Sequence, residues 1–204
     1  MLTLTDYRAA LRLALRDGAA AVWSDAQLDE ALRASLAQYS RVAPDPRAAL
    51  LTLAAAGREI SLSGLADLME VAEVWLPAET GCPPRGRAFR RLSPTTLLIE
   101  DGAEPQAGEA ARVFYLARHG IEGLDGAAAT SVPATGRSSL VIGAAALAWQ
   151  ARARQLAEAE NVAPSTRRWA TEQAAAWQAD WRDELAAVAV SQSGPVAWDV
   201  ERET

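Results

Sequence analysis

The chain has 204 residues, half of them hydrophobic, which suffices for one domain or for a core with an inserted subdomain. It carries a formal charge of −6 with a pI near 4.9, and all twenty of its basic residues are arginine. An acidic chain is a poor candidate for wrapping DNA, which needs clustered cations. The lack of lysine excludes a P-loop lysine, a Schiff-base lysine and a lysine general base. The lone cysteine, Cys82, sits in the turn-like stretch Gly81-Cys82-Pro83-Pro84 and permits no intrachain disulfide. The start, Met1-Leu2-Thr3-Leu4-Thr5-Asp6, has neither the basic residues nor the apolar run of a signal peptide. No stretch approaches the ~20 apolar residues of a membrane span. The expectation is a soluble protein made in a cytoplasm, with no membrane partner.

In chain order, Thr5-Asp6 predicts a helix start. Tyr7, Leu11, Ala14 and Leu15 follow on one face and Gly18 is the stop. After an Ala-rich link, Ser24 with Gln27 three residues on reads as a capping box. The helix that follows carries the stripe Leu28, Leu32, Ser35, Leu36 and Tyr39 and ends before Pro44 and Pro46.

The middle is rich in Gly, Pro and short apolar runs. Ala48–Ala54 and Arg58–Leu62 flank Ala55-Ala56-Gly57, a hairpin signal. Leu68–Leu76 reads as a strand. Ala88–Leu92 and Thr95–Glu100 are joined by Ser93-Pro94, and Ala110–Arg118 reads as a further strand. Together they predict a small antiparallel sheet or barrel.

From Ser138 the helical period returns. Leu140–Ala159 has small residues at Gly143, Ala144 and Ala148. A last helix opens at Pro164-Ser165 and runs to about Val190, with Trp169, Gln173, Trp177, Trp181, Leu185 and Val188 on one face. The fold class is therefore α+β. Residues 1–46 and 137–190 supply two helix pairs of a four-helix bundle, 47–136 form a β-rich insert, and 191–204 are an extended tail.

Chemistry is sparse in this pattern. His119 is the only histidine, so any Ser-His or Cys-His site must use it, and with Cys82 it cannot furnish a usual zinc shell. Gly120, Gly123 and Gly126 lack the strand–turn–helix setting of a nucleotide fingerprint and read as a loop. Glu100, Asp101 and Glu104 read as a solvated acidic turn. Arg85, Arg87, Arg90 and Arg91, interleaved with Phe89, are the one basic cluster, suited to an acidic partner surface or to solvation rather than to nucleic acid. No catalytic residue, cofactor or metal ligand is assigned. In the tail, Trp198 stands outside any periodic pattern after Gly194-Pro195. With Val196, Asp199 and Val200 it forms a candidate partner-binding segment, because a lone Trp in an acidic tail is suited to fill a pocket.

The order of motifs resembles the head–tail adaptors (connector or head-completion proteins) of tailed bacteriophages. A Trp23-Ser24-Asp25-Ala26-Gln27-Leu28 entry leads into a helix ending at Tyr39-Ser40-Arg41. Tyr115 is followed by His119, Gly120-Ile121 and Gly123-Leu124. Leu140-Val141-Ile142-Gly143-Ala144-Ala145-Ala146 opens a helix running through Arg152-Ala153 toward Asn161-Val162, and a Trp-rich helix closes the series. The resemblance spans residues 2 to about 190. It implies a virion protein, not an enzyme. Such a protein forms a ring, dodecameric by matching the portal. It extends the channel through which DNA passes without sequence-specific binding and offers a platform for the next tail or stopper protein. The competing readings are another neck or tail protein, such as a stopper or tail terminator, and a small hydrolase built on His119.

Overall fold

The computed structural model describes residues 2–76 and 85–191. It has four α-helices and two small antiparallel sheets, an α+β fold. The helices are α1 (Leu4–Ala14), α2 (Asp25–Val42), α3 (Arg137–Glu158) and α4 (Pro164–Ser191). The strands are β1 (Asp45–Thr52), β2 (Glu59–Ser61), β3 (Leu68–Leu76), β4 (Arg85–Gly86), β5 (Phe89–Ser93), β6 (Thr96–Ile99) and β7 (Ala110–Ala117). The chain divides into a helical unit, residues 1–44 with 119–195, and a β unit built on residues 45–118.

In the helical unit, α1 starts at Thr3 rather than Thr5. The Asp6 carboxylate accepts from the Thr3 N–H at 2.8 Å and from its hydroxyl at 3.0 Å, a contact with Thr3 that the Thr5-Asp6 reading overlooked. It ends at Ala14, before Gly18, because Arg16 turns the chain with φ +56°. At α2 the capping box forms as its sequence indicates: Gln27 N–H donates to Ser24 Oγ and Ser24 N–H to Gln27 Oε1. Leu28, Leu32, Ser35, Leu36 and Tyr39 are all buried.

The α3 helix packs against the other three, and its small residues permit this. A Cβ at Gly143 would lie 2.4 Å from Ser35 Oγ and 2.5 Å from the Trp181 indole, so α2, α3 and α4 converge there at backbone distance. Ser35 Oγ also donates to the Leu140 carbonyl at 3.0 Å. Residues 119–136, expected in the β-rich insert, lie with the helices instead. Ile121 and Leu124 join the helical core, because their neighbours Gly123, Asp125 and Gly126 adopt positive φ and fold the loop tightly.

The β unit holds a four-stranded sheet, β1-β7-β3-β4, and a three-stranded one, β2-β6-β5. One hydrophobic cluster includes Ile60, Leu97 and Ile99 with Val74, Val113 and Tyr115, so the two sheets share a core. The β5–β6 hairpin forms across Ser93–Thr95 as expected. The expected hairpin across Ala55–Gly57 does not. β1 pairs along its whole length with β7, and β2 pairs with β6 in the other sheet. The cause is the 105–109 loop: Leu53 N–H donates to Glu109 O, Gly108 N–H to Leu53 O and Gly57 N–H to Pro105 O. These bonds turn the chain out of one sheet and into the next.

Candidate interaction site

Val196, Trp198, Asp199 and Val200, the tail segment singled out by sequence, lie outside the described residues, as does Cys82. The other sequence candidates can each be placed.

His119 is buried and used structurally. Its backbone N–H donates to Ser40 Oγ at 3.0 Å, and Nε2 lies 2.9 Å from the Ala43 carbonyl. Nδ1 lies 3.0 Å from Ser131 Oγ, which also accepts the Gly120 N–H. Because the Ala43 carbonyl only accepts, Nε2 carries a proton; in the neutral ring the Ser131 hydroxyl then donates to Nδ1. The ring tilts against Tyr39 at a centroid distance of 5.4 Å. His119 thus ties the end of α2 to the loop that follows it.

The basic cluster and the acidic turn answer each other. Arg87 Nε reaches Asp101 Oδ1 at 2.9 Å and Arg90 Nε reaches Glu100 Oε1 at 3.0 Å. Arg91 donates to the carbonyls of Met69, Ser93 and Pro94. The hydrogen bond from Arg87 holds the Asp101 carboxyl below its usual range, helped by the Ala88 N–H. Gly102 sits at φ +65°, a backbone conformation that favours glycine, beneath the Arg87 guanidinium. Three of the four arginines therefore spend their donors inside the β unit. Among the described residues no group of three or more His, Cys, Asp and Glu could hold a metal ion, and no helix is long and apolar enough to cross a membrane.

A groove on the helical unit is a surface feature that the sequence does not announce. Three indoles meet edge to face: Trp23 on Trp149 at 5.1 Å and Trp149 on Trp169 at 5.0 Å. Trp23 and Trp149 are buried, but Trp169 is 51% exposed and Val22 44% exposed. Together with Leu15 and Trp177 they line a groove of about 690 Å³ whose charged lining residues, among those described, are Arg16 and Arg152. That is the size and the apolar character of a ligand or peptide pocket.

The lip of the groove is set by Asp17, a residue that sequence reading passed over as part of a link. Its carboxylate is nearly fully buried. It accepts the N–H groups of Ala21 at 2.9 Å and of Val22 and Trp23 at 3.1 Å, and pairs with Arg12 at 3.1 Å. Burial alone would raise its pKa, but these bonds outweigh it and hold the carboxyl below the usual range. Arg12 also donates to the Trp23 carbonyl and to Asp25. Residues 17–23 are thereby fixed so that Val22 and Trp23 face the groove. The Trp face of α4 is divided accordingly. Trp181 is core, Trp177 half-buried, and Trp169 belongs to the groove wall.

No protein-family model matches the chain, and no curated protein matches it. Among solved structures it is similar to a chain in a structure described as the neck of an empty GTA particle computed with C6 symmetry. The two are 22% identical with a TM-score of 0.30, over 71% of this chain and 76% of that one. At that score the likeness assigns nothing to this chain.

Proposed function

We propose that the chain is a structural protein of a tailed-phage neck, a head–tail adaptor. In this reading copies close into a ring beneath the portal, dodecameric by matching it. The ring extends the DNA channel and presents the platform on which the next tail or stopper protein assembles. The tail segment with Trp198 docks on the portal or on an adjacent copy.

The observation that carries the reading is where the residues behind the resemblance lie. Trp23 and Ser24 begin α2, Tyr39 ends its buried stripe, His119 fastens that end to the following loop, and Gly143 lets α2, α3 and α4 meet. Motifs dispersed over 120 residues of sequence thus serve one helical unit. The charge pattern agrees with a channel. A net charge of −6, with Arg87, Arg90 and Arg91 engaged internally, lets DNA slide past without being gripped.

Electron microscopy of the protein mixed with purified portal from the same genome tests this. The expected result is a ring stacked on the portal and sharing its symmetry. A bare portal, with the protein bound to tail tubes or to nothing, overturns it.

A further inference from the structure

We propose that two copies of this chain pair through the free edge of β1, strand against strand, antiparallel and two-fold about Leu50.

The two sheets of the β unit are joined by one stretch of chain. β4 passes into β5 through Arg87 and Ala88: the Arg87 N–H donates to the Val74 carbonyl of β3, and the Ala88 carbonyl accepts from Glu100, next to β6. Among the described residues the outer strands of the unit are therefore β1 and β2. An unpaired strand edge is a template for another strand, and proteins blunt such edges with brevity, charge, proline or bulges. β2 is blunted, being three residues long and carrying Glu59. β1 is not. It runs for eight residues in unbroken register with β7, and Pro46 stands only near its start. Its two charged residues, Asp45 and Arg47, neutralise each other at 2.8 Å, and Leu50 in its middle is 49% exposed.

Which backbone groups are free follows from alternation. Leu53 donates its N–H to Glu109 O and accepts from the Gly108 N–H, so its backbone faces the β7 side. Successive residues of a paired antiparallel strand alternate between the two sides. Ala49 and Leu51 therefore also face β7, and Ala48, Leu50 and Thr52 turn their N–H and C=O groups outward. None of these three makes another backbone hydrogen bond among the described residues.

Two features select a second copy as the occupant. The first is register. With Leu50 opposite Leu50, Ala48 of each copy faces Thr52 of the other, and all the outward residues exchange both of their bonds. A shift toward Pro46 meets a residue with no N–H. A shift the other way runs past Thr52, where β1 ends. The edge is thus complementary to itself, and each Leu50 gains an apolar cross-strand neighbour. The second is charge. Glu59 and Glu104 line a cleft of about 650 Å³ beside Leu51 and Leu53, and neither has an ion pair among the described residues. The same register sets the second copy's Arg47 across from Leu53, on the face of the strand that Leu51 and Leu53 share. A strand drawn from Asp199-Val200-Glu201-Arg202-Glu203 would bring like charge to those carboxylates instead.

A two-fold pair closes on itself. It is a state of the free protein, separate from any contact that closes a ring, and it does not rest on the adaptor reading.

The test uses the full-length protein. Sedimentation velocity should show a monomer–dimer equilibrium. Leu50→Pro removes an outward N–H and no bond of the β1–β7 ladder, and Leu50→Lys puts a charge on the edge. Each should weaken association by about tenfold or more, with the far-UV circular dichroism unchanged. In a Cys82→Ser background, Leu50→Cys should form a disulfide between copies on mild oxidation. Ala48→Cys alone should form none, since its two-fold mate lies about 14 Å away, but it should cross-link to Thr52→Cys when the two proteins are mixed. A wild-type protein that stays monomeric at millimolar concentration overturns the inference. So does a dimer that both Leu50 variants leave intact, or one in which Leu50→Cys fails to cross-link.

Discussion

The indole of Trp181 lies over Gly143 so closely that a single added methyl group would stand 2.5 Å from it. Ser35 Oγ blocks the same space from α2 at 2.4 Å. Two walls at that distance cannot both move aside, since Trp181 is 3% exposed and its ring is rigid. Gly143→Ala should therefore destabilise the protein even though alanine is the better helix former, by ~1 kcal/mol. Overpacking of about 1–3 kcal/mol or more should exceed that gain. Urea denaturation followed by far-UV circular dichroism checks this, and an unchanged or raised midpoint would show that the helices separate at little cost.

The His119 ring should behave as a structural fastener. Removing it in His119→Ala leaves the Ala43 carbonyl and the Ser131 hydroxyl without the partners they have at 2.9 and 3.0 Å. Ser131 is half-buried and keeps the Gly120 N–H, so the cost falls on the buried Ala43 carbonyl, and a loss of about 1–3 kcal/mol is expected in the same denaturation experiment. Hydrogen exchange at Gly120 should accelerate in parallel in Ser131→Ala, because its N–H donates to Ser131 Oγ. A stable His119→Ala protein with an altered catalytic activity would instead favour the hydrolase reading.

Asp17 should give the protein part of its acid sensitivity. Its folded-state pKa is depressed, so its stabilisation is fully present above the unfolded value of about 4. That stabilisation is lost as pH falls from there through the lower folded value. Asp17→Asn should lower stability at pH 7 by about 1–3 kcal/mol and flatten the acid limb of the stability–pH curve. Asp125→Asn is the control: Asp125 pairs with Arg33 at 2.7 Å in an exposed setting, where such pairs contribute little. Equal effects from the two substitutions would refute the role given to burial.

Much of the architecture was legible in the amino-acid order. The Ser24–Gln27 capping box, the Leu28-to-Tyr39 stripe, the strand Leu68–Leu76 and the hairpin across Ser93–Thr95 all stand where local pattern put them. Each is set by hydrogen bonds and side-chain periods within a few residues, which sequence displays directly. The α+β class followed from those pieces. Which strand pairs with which did not follow, because β1 finds β7 some sixty residues away through shared burial rather than through its neighbours. Nor did the depth of Asp17, since three N–H groups and Arg12 had to be brought around it before a carboxylate could be buried there. The groove is tertiary throughout. Trp23, Trp149 and Trp169 are distant in the chain, and only the packing of α3 against its neighbours, allowed by Gly143 and the adjacent alanines, sets their rings edge to face.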